Sequence, residues 1–230
     1  MALYAIGDLH LSLGADKPMD VFGGGWENYV EKIKLGFSTL EPEDVCVLCG
    51  DTSWAMSFDE SFVDFQFINE LPGKKIILKG NHDYWWATSS KMNSFFAVSG
   101  IENIEVLHNN CYFYGETAIC GTRGWLTEGE SDTEHNLKIM SRETARLRAS
   151  LQAAGDAPEK LCFFHYPPRF KDIVCRDIVA VMDEFNVKRC WYGHIHSHGR
   201  RHAVRGEVDG IVYEMVSADF VDFVPQRILT

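Results

Sequence analysis

The stretch IILKGNHD, residues 76–83, is an apolar run that stops abruptly at a glycine and a polar cluster. Four other apolar runs end in the same way, before Gly7-Asp8-Leu9-His10, Gly50-Asp51, His165 and Gly193-His194-Ile195-His196. Short apolar runs of this kind indicate buried strands, and in an open α/β sheet the carboxyl ends of neighbouring strands meet at one crevice. The five polar clusters are therefore predicted to lie close together.

Longer amphipathic segments separate the apolar runs, an alternation typical of an α/β fold. Strands are predicted at 3–6, 45–48, 75–78, 161–164 and 189–192, and helices near 27–40, 59–71, 88–97, 133–153 and 171–185. Runs at 104–107, 111–114 and 117–120 indicate an antiparallel meander, and Asp209-Gly210 a hairpin turn, so a second sheet is expected. Because no repeat or linker divides the chain, we expect one domain over residues 1–230.

The net charge and the distribution of apolar residues argue against nucleic acid and membranes as partners. The 230 residues carry a formal charge of -11, the wrong sign for binding nucleic acid through its phosphates, so no nucleic-acid partner is expected. No apolar run approaches the roughly 20 residues of a membrane helix, and the first residues lack a secretory pattern, so we expect a cytoplasmic protein without membrane contact. The sequence leaves the oligomeric state open.

The seven cysteines are scattered and odd in number, which indicates reduced thiols rather than a disulfide framework. Cys46 and Cys49 form a CxxC inside an apolar strand, where residues three apart point to opposite faces. We therefore predict that this pair packs in the core and binds no zinc.

The polar clusters contain carboxylates, imidazoles and an amide but no thiolate, a set suited to Mn, Fe, Zn, Co or Ni. Two pairs are two residues apart and would point the same way on an extended chain: Asp8 with His10, and His194 with His196. With Asp51, Asn81 and His165 this gives seven candidate ligands, too many for one ion and natural for two. We therefore expect two divalent ions, with manganese as the leading candidate among these metals.

In this order the blocks D-x-H, G-D, G-N-H-D, a lone H and G-H-x-H resemble those of the calcineurin-like metallophosphoesterases. The resemblance covers residues 7–196. It implies a four-layer αββα sandwich, in which two mixed β-sheets are flanked by helices, with a dinuclear metal centre at one end of the sheets.

The resemblance also implies a role for each matched position. Asp8, His10 and His196 would bind one ion, Asn81, His165 and His194 the other, and Asp51 would bridge them. His82 would be the catalytic histidine that assists the departing oxygen, and Asp83 the acid that orients its ring. Two such ions can clamp phosphoryl oxygens and lower the pKa of an attacking water.

The sequence departs from many relatives after two blocks. The arginines by which serine/threonine protein phosphatases hold phosphate are replaced by Thr52-Ser53-Trp54-Ala55-Met56 and Tyr84-Trp85-Trp86, so protein phosphatase activity is not expected. Arg123 is the candidate substrate-binding residue, and Lys17 a second possible replacement. The tryptophans and tyrosines near the blocks could line a substrate pocket, although at least half are expected to pack in the core.

The function predicted from these features is a metal-dependent phosphohydrolase acting on a small phosphorylated substrate, a phosphate mono- or diester. A non-catalytic metal-binding scaffold of the same fold is one alternative, and a nuclease with a short basic patch is another. Two loop-like segments, 12–25 and 121–136, are expected to shape the substrate pocket.

Overall fold

The computed structural model describes residues 1–125 and 133–230. Five strands form the first sheet: β1 (Leu3–Ile6), β2 (Val45–Leu48), β3 (Lys74–Ile77), β4 (Ile104–Val106) and β13 (Gln226–Leu229). Their order is β13-β1-β2-β3-β4. Strands β1 to β4 run parallel, and β13 pairs antiparallel with the edge of β1.

Six strands form the second sheet: β5 (Tyr112–Tyr114), β6 (Thr117–Thr122), β7 (Glu159–Phe164), β10 (Arg189–Tyr192), β11 (Gly206–Val208) and β12 (Ile211–Met215). Their order is β11-β12-β10-β7-β6-β5, parallel from β12 to β6 and antiparallel at both edges. A separate two-stranded ribbon pairs β8 (Arg169–Phe170) with β9 (Ile173–Val174). Both large sheets are therefore mixed, as predicted.

Helices cover the outer face of each sheet. The first sheet carries α1 (Tyr29–Phe37), α2 (Phe58–Glu70) and α3 (Ser89–Val98), and the second carries α4 (Glu134–Ala153) and α5 (Arg176–Glu184). A third apolar cluster lies between the sheets, where Val47 and Ile76 share one core with Phe163 and Trp191. The layers are helix, sheet, sheet, helix, which confirms the predicted αββα sandwich.

Local sequence explains where three helices begin. Ser57, Thr88 and Thr133 each accept a hydrogen bond from the backbone N–H three residues later, which satisfies a donor that the first helical turn leaves unpaired. In α1, Tyr29, Ile33 and Phe37 recur every four residues and are buried. That spacing places them on one face of the helix, against the first sheet.

Alternation along β2 confirms the interpretation of the cysteine pair. Cys46 is buried among the helices of the outer core, whereas Cys49 is buried between the two sheets. All seven cysteines are free thiols. The CxxC is therefore core packing rather than a metal site.

The structure corrects three sequence predictions. The run near 104–107 is no part of a meander: β4 joins the first sheet parallel to β3, and only β5 and β6 pair antiparallel. The helix predicted over 171–185 begins at Arg176, because the β8–β9 ribbon occupies the preceding residues. Strand β13 was not predicted, since its pairing with β1 is non-local. The hairpin at Asp209-Gly210 is confirmed between β11 and β12.

The segment predicted as a loop at 12–25 contains one short 3-10 helix at Met19–Phe22 and the start of a second at Gly24–Trp26. The other predicted loop, 121–136, lies partly outside the described residues, at 126–132. Among the helices in the described parts of the chain, none is both long and apolar enough to cross a bilayer.

Close packing of α1 against the segment after β12 generates a stability prediction. A Cβ at Gly36 would overlap the Phe223 carbonyl oxygen, whereas a Cβ at Gly25 would meet nothing. We expect Gly36→Ala to lower the free energy of unfolding by about 1–3 kcal/mol, because overpacking outweighs the better helix propensity of alanine. Urea denaturation measures the change. Gly25→Ala is the matched control, and an equal loss in both variants would contradict the packing argument.

Candidate metal centre

Candidate ligands from both sheets meet at one end of the sandwich. Asp8 follows β1, Asp51 follows β2 and Asn81 follows β3, while His165 and His194 follow β7 and β10 of the other sheet. The sheets touch directly at this end, where the Gly7 N–H donates to the Val216 carbonyl at 2.7 Å. The predicted convergence of the strand ends is therefore observed.

Two glycines allow this close approach. A Cβ at Gly80 would overlap the Asp51 backbone and carboxylate, and a Cβ at Gly193 would overlap the Asp8 carboxylate. Any larger residue would push the ligand-bearing turns apart. These close approaches explain the glycines that precede Asn81 and His194.

The backbone at the ligands is strained. Asp8, His10, Asp51 and His194 all have positive φ angles, between 48° and 71°, in the left-handed region. Non-glycine residues adopt this region at a cost of order 1–3 kcal/mol and do so most often at functional sites. The expectation that Asp8 and His10 align on an extended chain is therefore wrong: left-handed turns bring them together. The same expectation for His194 and His196 is also wrong, since His194 faces Asn81 and His196 faces Asp8.

One group of side chains consists of Asp8, His10 and His196, whose potential ligand atoms lie within 4.8 Å of one another. His196 Nε2 lies 3.5 Å from Asp8 Oδ1 and 3.4 Å from His10 Nε2. This is the set that the family resemblance assigns to one ion. The structure brings all three together.

A second group surrounds Asn81. Its Oδ1 lies 2.6 Å from His165 Nε2 and 3.0 Å from His194 Nδ1, and those two ring nitrogens are 3.2 Å apart. Asp51 Oδ2 is 3.4 Å from His165 Nε2 and 3.8 Å from His10 Nε2. The Asp51 carboxylate thus lies between the two groups.

The hydrogen bond at His165 favours Asp51 over Asp8 as the shared carboxylate. Both aspartates lie close to His165, since Asp8 Oδ1 is 3.6 Å from its Nδ1. That Nδ1 is also 3.1 Å from the Cys49 carbonyl, to which it donates as N–H, so the lone pair is left on Nε2. Nε2 faces Asp51 and Asn81.

Burial keeps three of the four histidines neutral. It lowers the pKa of His165 to about 3 and that of His194 to about 4. Burial, followed by the charge of His196, also holds the pKa of His10 well below its usual value. Neutral imidazoles with a free lone pair are the form that binds a metal ion.

The pKa values of His196 and Asp51 are raised, in contrast to those of the three neutral histidines. Burial opposes protonation of His196, but the Asp8 carboxylate and the Asp219 hydrogen bond raise its pKa to about 10, so His196 must give up a proton to act as a ligand. Burial, and then the charges of Asp83 and Asp8, raise the pKa of Asp51 well above its usual value. Buried carboxylates facing neutral imidazoles fit divalent cations of intermediate hardness.

Asp83 does not orient His82, which corrects the role implied by the resemblance. The Asp83 carboxylate is fully buried and accepts the backbone N–H groups of Asp51, Thr52 and Gly80 at 2.6–3.0 Å. Burial raises its pKa to about 6, against these hydrogen bonds. Among the described residues, His82 Nδ1 has no hydrogen-bond partner. Asp83 instead ties the turns after β2 and β3 together.

His82 borders the site through its ring and its backbone. Its N–H donates to Asp51 Oδ1 at 2.8 Å, and its ring centroid lies 5.8 Å from that of His10. Trp54 lies against both rings, with centroids 4.2 Å from His82 and 4.9 Å from His10. Burial lowers the pKa of His82.

Two residues of the site were missed by sequence reasoning. Asp219 accepts a hydrogen bond from His196 Nδ1 at 2.8 Å, which leaves Nε2 of that ring for the site. Trp26 contacts His10 and His196 edge to face, with centroids 5.8 Å away in each case. Neither lies near a recognisable motif, so no local signal marks them.

Arg123 and Lys17, the two candidate phosphate-binding residues, lie in different surroundings. The Arg123 guanidinium lies 3.3 Å from Glu143 Oε1 and over the Trp125 ring, rather than among the metal-ligand candidates. Lys17 is exposed and lies over the Trp54 ring, with Nζ 5.5 Å from its centroid. Lys17 is therefore the cation that shares an aromatic neighbour with His82.

The aromatic residues near the sequence motifs divide between the core and the candidate site. Trp85 is buried and packs against Phe65, so it belongs to the core. Tyr166 faces the site, with its ring centroid 4.2 Å from that of His194, and the exposed Tyr84 flanks His82. His198 and His202 are exposed and lie on the 3-10 helix Ser197–His202.

The model of the calcineurin-like phosphoesterase family matches residues 1–198. The chain belongs to this family. Its members are metal-dependent hydrolases of phosphoester bonds, and the clustered aspartates and histidines are the chain's candidate metal ligands. By sequence, the chain matches no curated protein.

Solved structures show the same fold. A phosphopantetheinyl hydrolase from Mycobacterium tuberculosis is 15% identical with a TM-score of 0.58, over 99% of this chain and 95% of that one. A protein of unknown function from Aquifex aeolicus is 15% identical with a TM-score of 0.52, over 98% and 95% of the two chains. This phosphoester hydrolase therefore shares its architecture with both proteins.

The Asp219–His196 hydrogen bond predicts an effect on metal affinity. Asp219→Asn removes the charged acceptor that orients the ring, and we expect divalent metal to bind about 10-fold more weakly. Competition with a chromophoric chelator measures this affinity. Asp222→Asn, an exposed neighbour, is the matched control. Equal affinities of the two variants would exclude an orienting role for Asp219.

Proposed function

We propose that the chain hydrolyses a small phosphate mono- or diester with two divalent cations, manganese first among the candidates. Asp8, His10 and His196 would hold one cation, Asn81, His165 and His194 the other, and Asp51 both. The observation that carries the proposal is the position of Asp51 Oδ2, within 3.8 Å of a histidine from each group. Fe, Zn, Ni and Co suit the same donors.

When bound, such cations neutralise charge on phosphoryl oxygens and lower the pKa of an attacking water. The chain's own residues supply position and a proton. Asp83 fixes the turns that carry Asp51 and Asn81, and Asp219 fixes the His196 ring. A preorganised donor set binds with little further ordering of the protein.

His82 is the candidate acid. Its side chain contributes to neither ligand group, yet it lies beside His10 and donates its backbone N–H to Asp51. The ring lies tilted against Trp54, and its Nδ1 is buried without a hydrogen-bond partner among the described residues, so Nε2 is the nitrogen that can serve a substrate. We assign it the proton that the departing oxygen needs, a task typically worth 10²–10⁴-fold in rate.

The surroundings favour a small substrate. Trp54, Tyr84 and Tyr166 border the candidate ligands and offer flat surfaces to a ring or a short organic group. The net charge of -11 disfavours a polyanion. Free thiols throughout the chain agree with a reducing compartment, and we retain the cytoplasm as the expected location.

A nuclease is the second candidate, because one basic stretch borders the site. Arg200 and Arg201 lie on the 3-10 helix directly after His196. Arg200, however, is already engaged, with Nη1 2.7 Å from the Asp219 carbonyl oxygen. Activity on single-stranded nucleic acid above that on small diesters would favour this candidate.

The proposal is tested by restoring metal to chelator-treated protein. We expect hydrolysis of an aryl phosphomonoester or an aryl phosphodiester to return with Mn, Fe, Zn, Ni or Co, with two equivalents bound. The ratio of the two rates separates monoesterase from diesterase. Two bound metals without hydrolysis of either ester would instead support either an enzyme with an exacting substrate or the non-catalytic scaffold.

His82→Ala separates catalysis from metal binding. The variant should bind metal as the unmodified chain does, because no ligand is removed, and lose about 10²–10⁴-fold in turnover. Turnover and metal content are measured on the same preparation. His135→Ala, on the exposed start of α4, is the control. Full turnover in His82→Ala would refute the assignment.

A further inference from the structure

A pocket beside the candidate metal ligands contains more cations than carboxylates. Lys79, His108 and Arg123 line it from the ends of β3, β4 and β6, and Arg146 reaches it from α4. It is a narrow cleft whose cavity volume is about 10 Å³, room for about one water molecule, so a larger anion must bind at its mouth. Glu143 is the one carboxylate among the lining residues that the structure describes.

Glu143 does not neutralise these charges. It is buried and accepts hydrogen bonds from Thr122 Oγ1 at 2.6 Å, Arg146 Nη1 at 2.6 Å and Arg123 Nη2 at 3.3 Å. One carboxylate thus faces two guanidinium groups and the Lys79 ammonium. Within the described ranges, Arg123 Nε is buried without a partner, and no carboxylate lies within ion-pair distance of Lys79.

The pocket shares backbone with the candidate metal centre. Lys79 precedes Asn81 by two residues, so their Cα atoms lie within about 7 Å of each other. The Arg123 carbonyl accepts the backbone N–H groups of His165 and Tyr166 at 3.2 Å and 2.8 Å. The same strand ends therefore carry both the candidate metal ligands and the pocket.

The geometry points to a second anion site: Lys79, Arg123 and Arg146 bind a non-reacting phosphate of the substrate while the metal ligands hold the reacting one. The substrate class is then a phosphate ester that carries a further phosphate. Guanidinium groups match phosphate through paired N–H donors, and an ammonium adds a point charge. This inference rests on the proposed function for the reacting phosphate.

Alkane diphosphonates of increasing length test the site, because they resist hydrolysis and scan the spacing between two anions. Calorimetry on the metal-loaded full chain compares each with the monophosphonate of equal length. We expect one range of lengths to bind about 10-fold more tightly or better than its monophosphonate. In Arg146→Gln this advantage should fall below about threefold, with monophosphonate affinity unchanged.

Arg142→Gln is the matched control, since Arg142 is exposed on the same helix and its loss removes the same charge. It should keep the full advantage. Arg146 pairs with buried Glu143, so Arg146→Gln can also lower stability. Lys79→Gln removes a cation without an ion-pair partner in the described chain and should reduce the advantage in a folded protein.

The inference is overturned if no length gives an advantage, or if the advantage survives in both Arg146→Gln and Lys79→Gln. Binding of inorganic phosphate to the pocket without a preferred length would make it a site for free anions and would equally overturn a substrate site. If the protein hydrolyses aryl esters but prefers no diphosphonate length, only the second anion site is refuted. If the protein prefers one diphosphonate length but hydrolyses no ester, the proposed reaction is refuted instead.

Discussion

The candidate metal centre depends on one buried carboxylate that lies outside both groups of candidate ligands. Asp83 accepts backbone N–H groups from the turns after β2 and β3, and it also accepts Trp85 Nε1 at 3.2 Å. Burying a carboxylate is costly unless such donors compensate it. These hydrogen bonds fix the backbone of Asp51 and Asn81 relative to each other, so the ligands hold their places before any ion or substrate binds.

Electrostatics then explains the composition of the cluster. Burial keeps His165 and His194 neutral, so that each ring can donate a lone pair to a metal ion. Burial also raises the pKa of Asp51, and the nearby charges of Asp83 and Asp8 raise it further. Two like-charged carboxylates in a low-dielectric site repel each other, and divalent cations remove that penalty. The left-handed backbone of Asp8 and Asp51 is a further cost that the site bears.

Sequence patterns predicted the strands well because buried strands follow apolar runs closely: β1, β2 and β10 match their predicted residues. Motif order indicated which side chains would meet. Non-local features escaped prediction, including the pairing of β13 with β1 and the hydrogen bond from His196 to Asp219. The role of Asp83 was misjudged since sequence adjacency to His82 suggested a contact, whereas the turn directs its carboxylate to backbone N–H groups.

Anomalous diffraction from crystals of the manganese-loaded protein tests the central claim most directly. We expect two manganese peaks, one among Asp8, His10 and His196 and one among Asn81, His165 and His194, with the Asp51 carboxylate between them. Two-ion centres of this kind place their ions roughly 3.5–4 Å apart. A single peak, or a second peak away from Asp51, would contradict it.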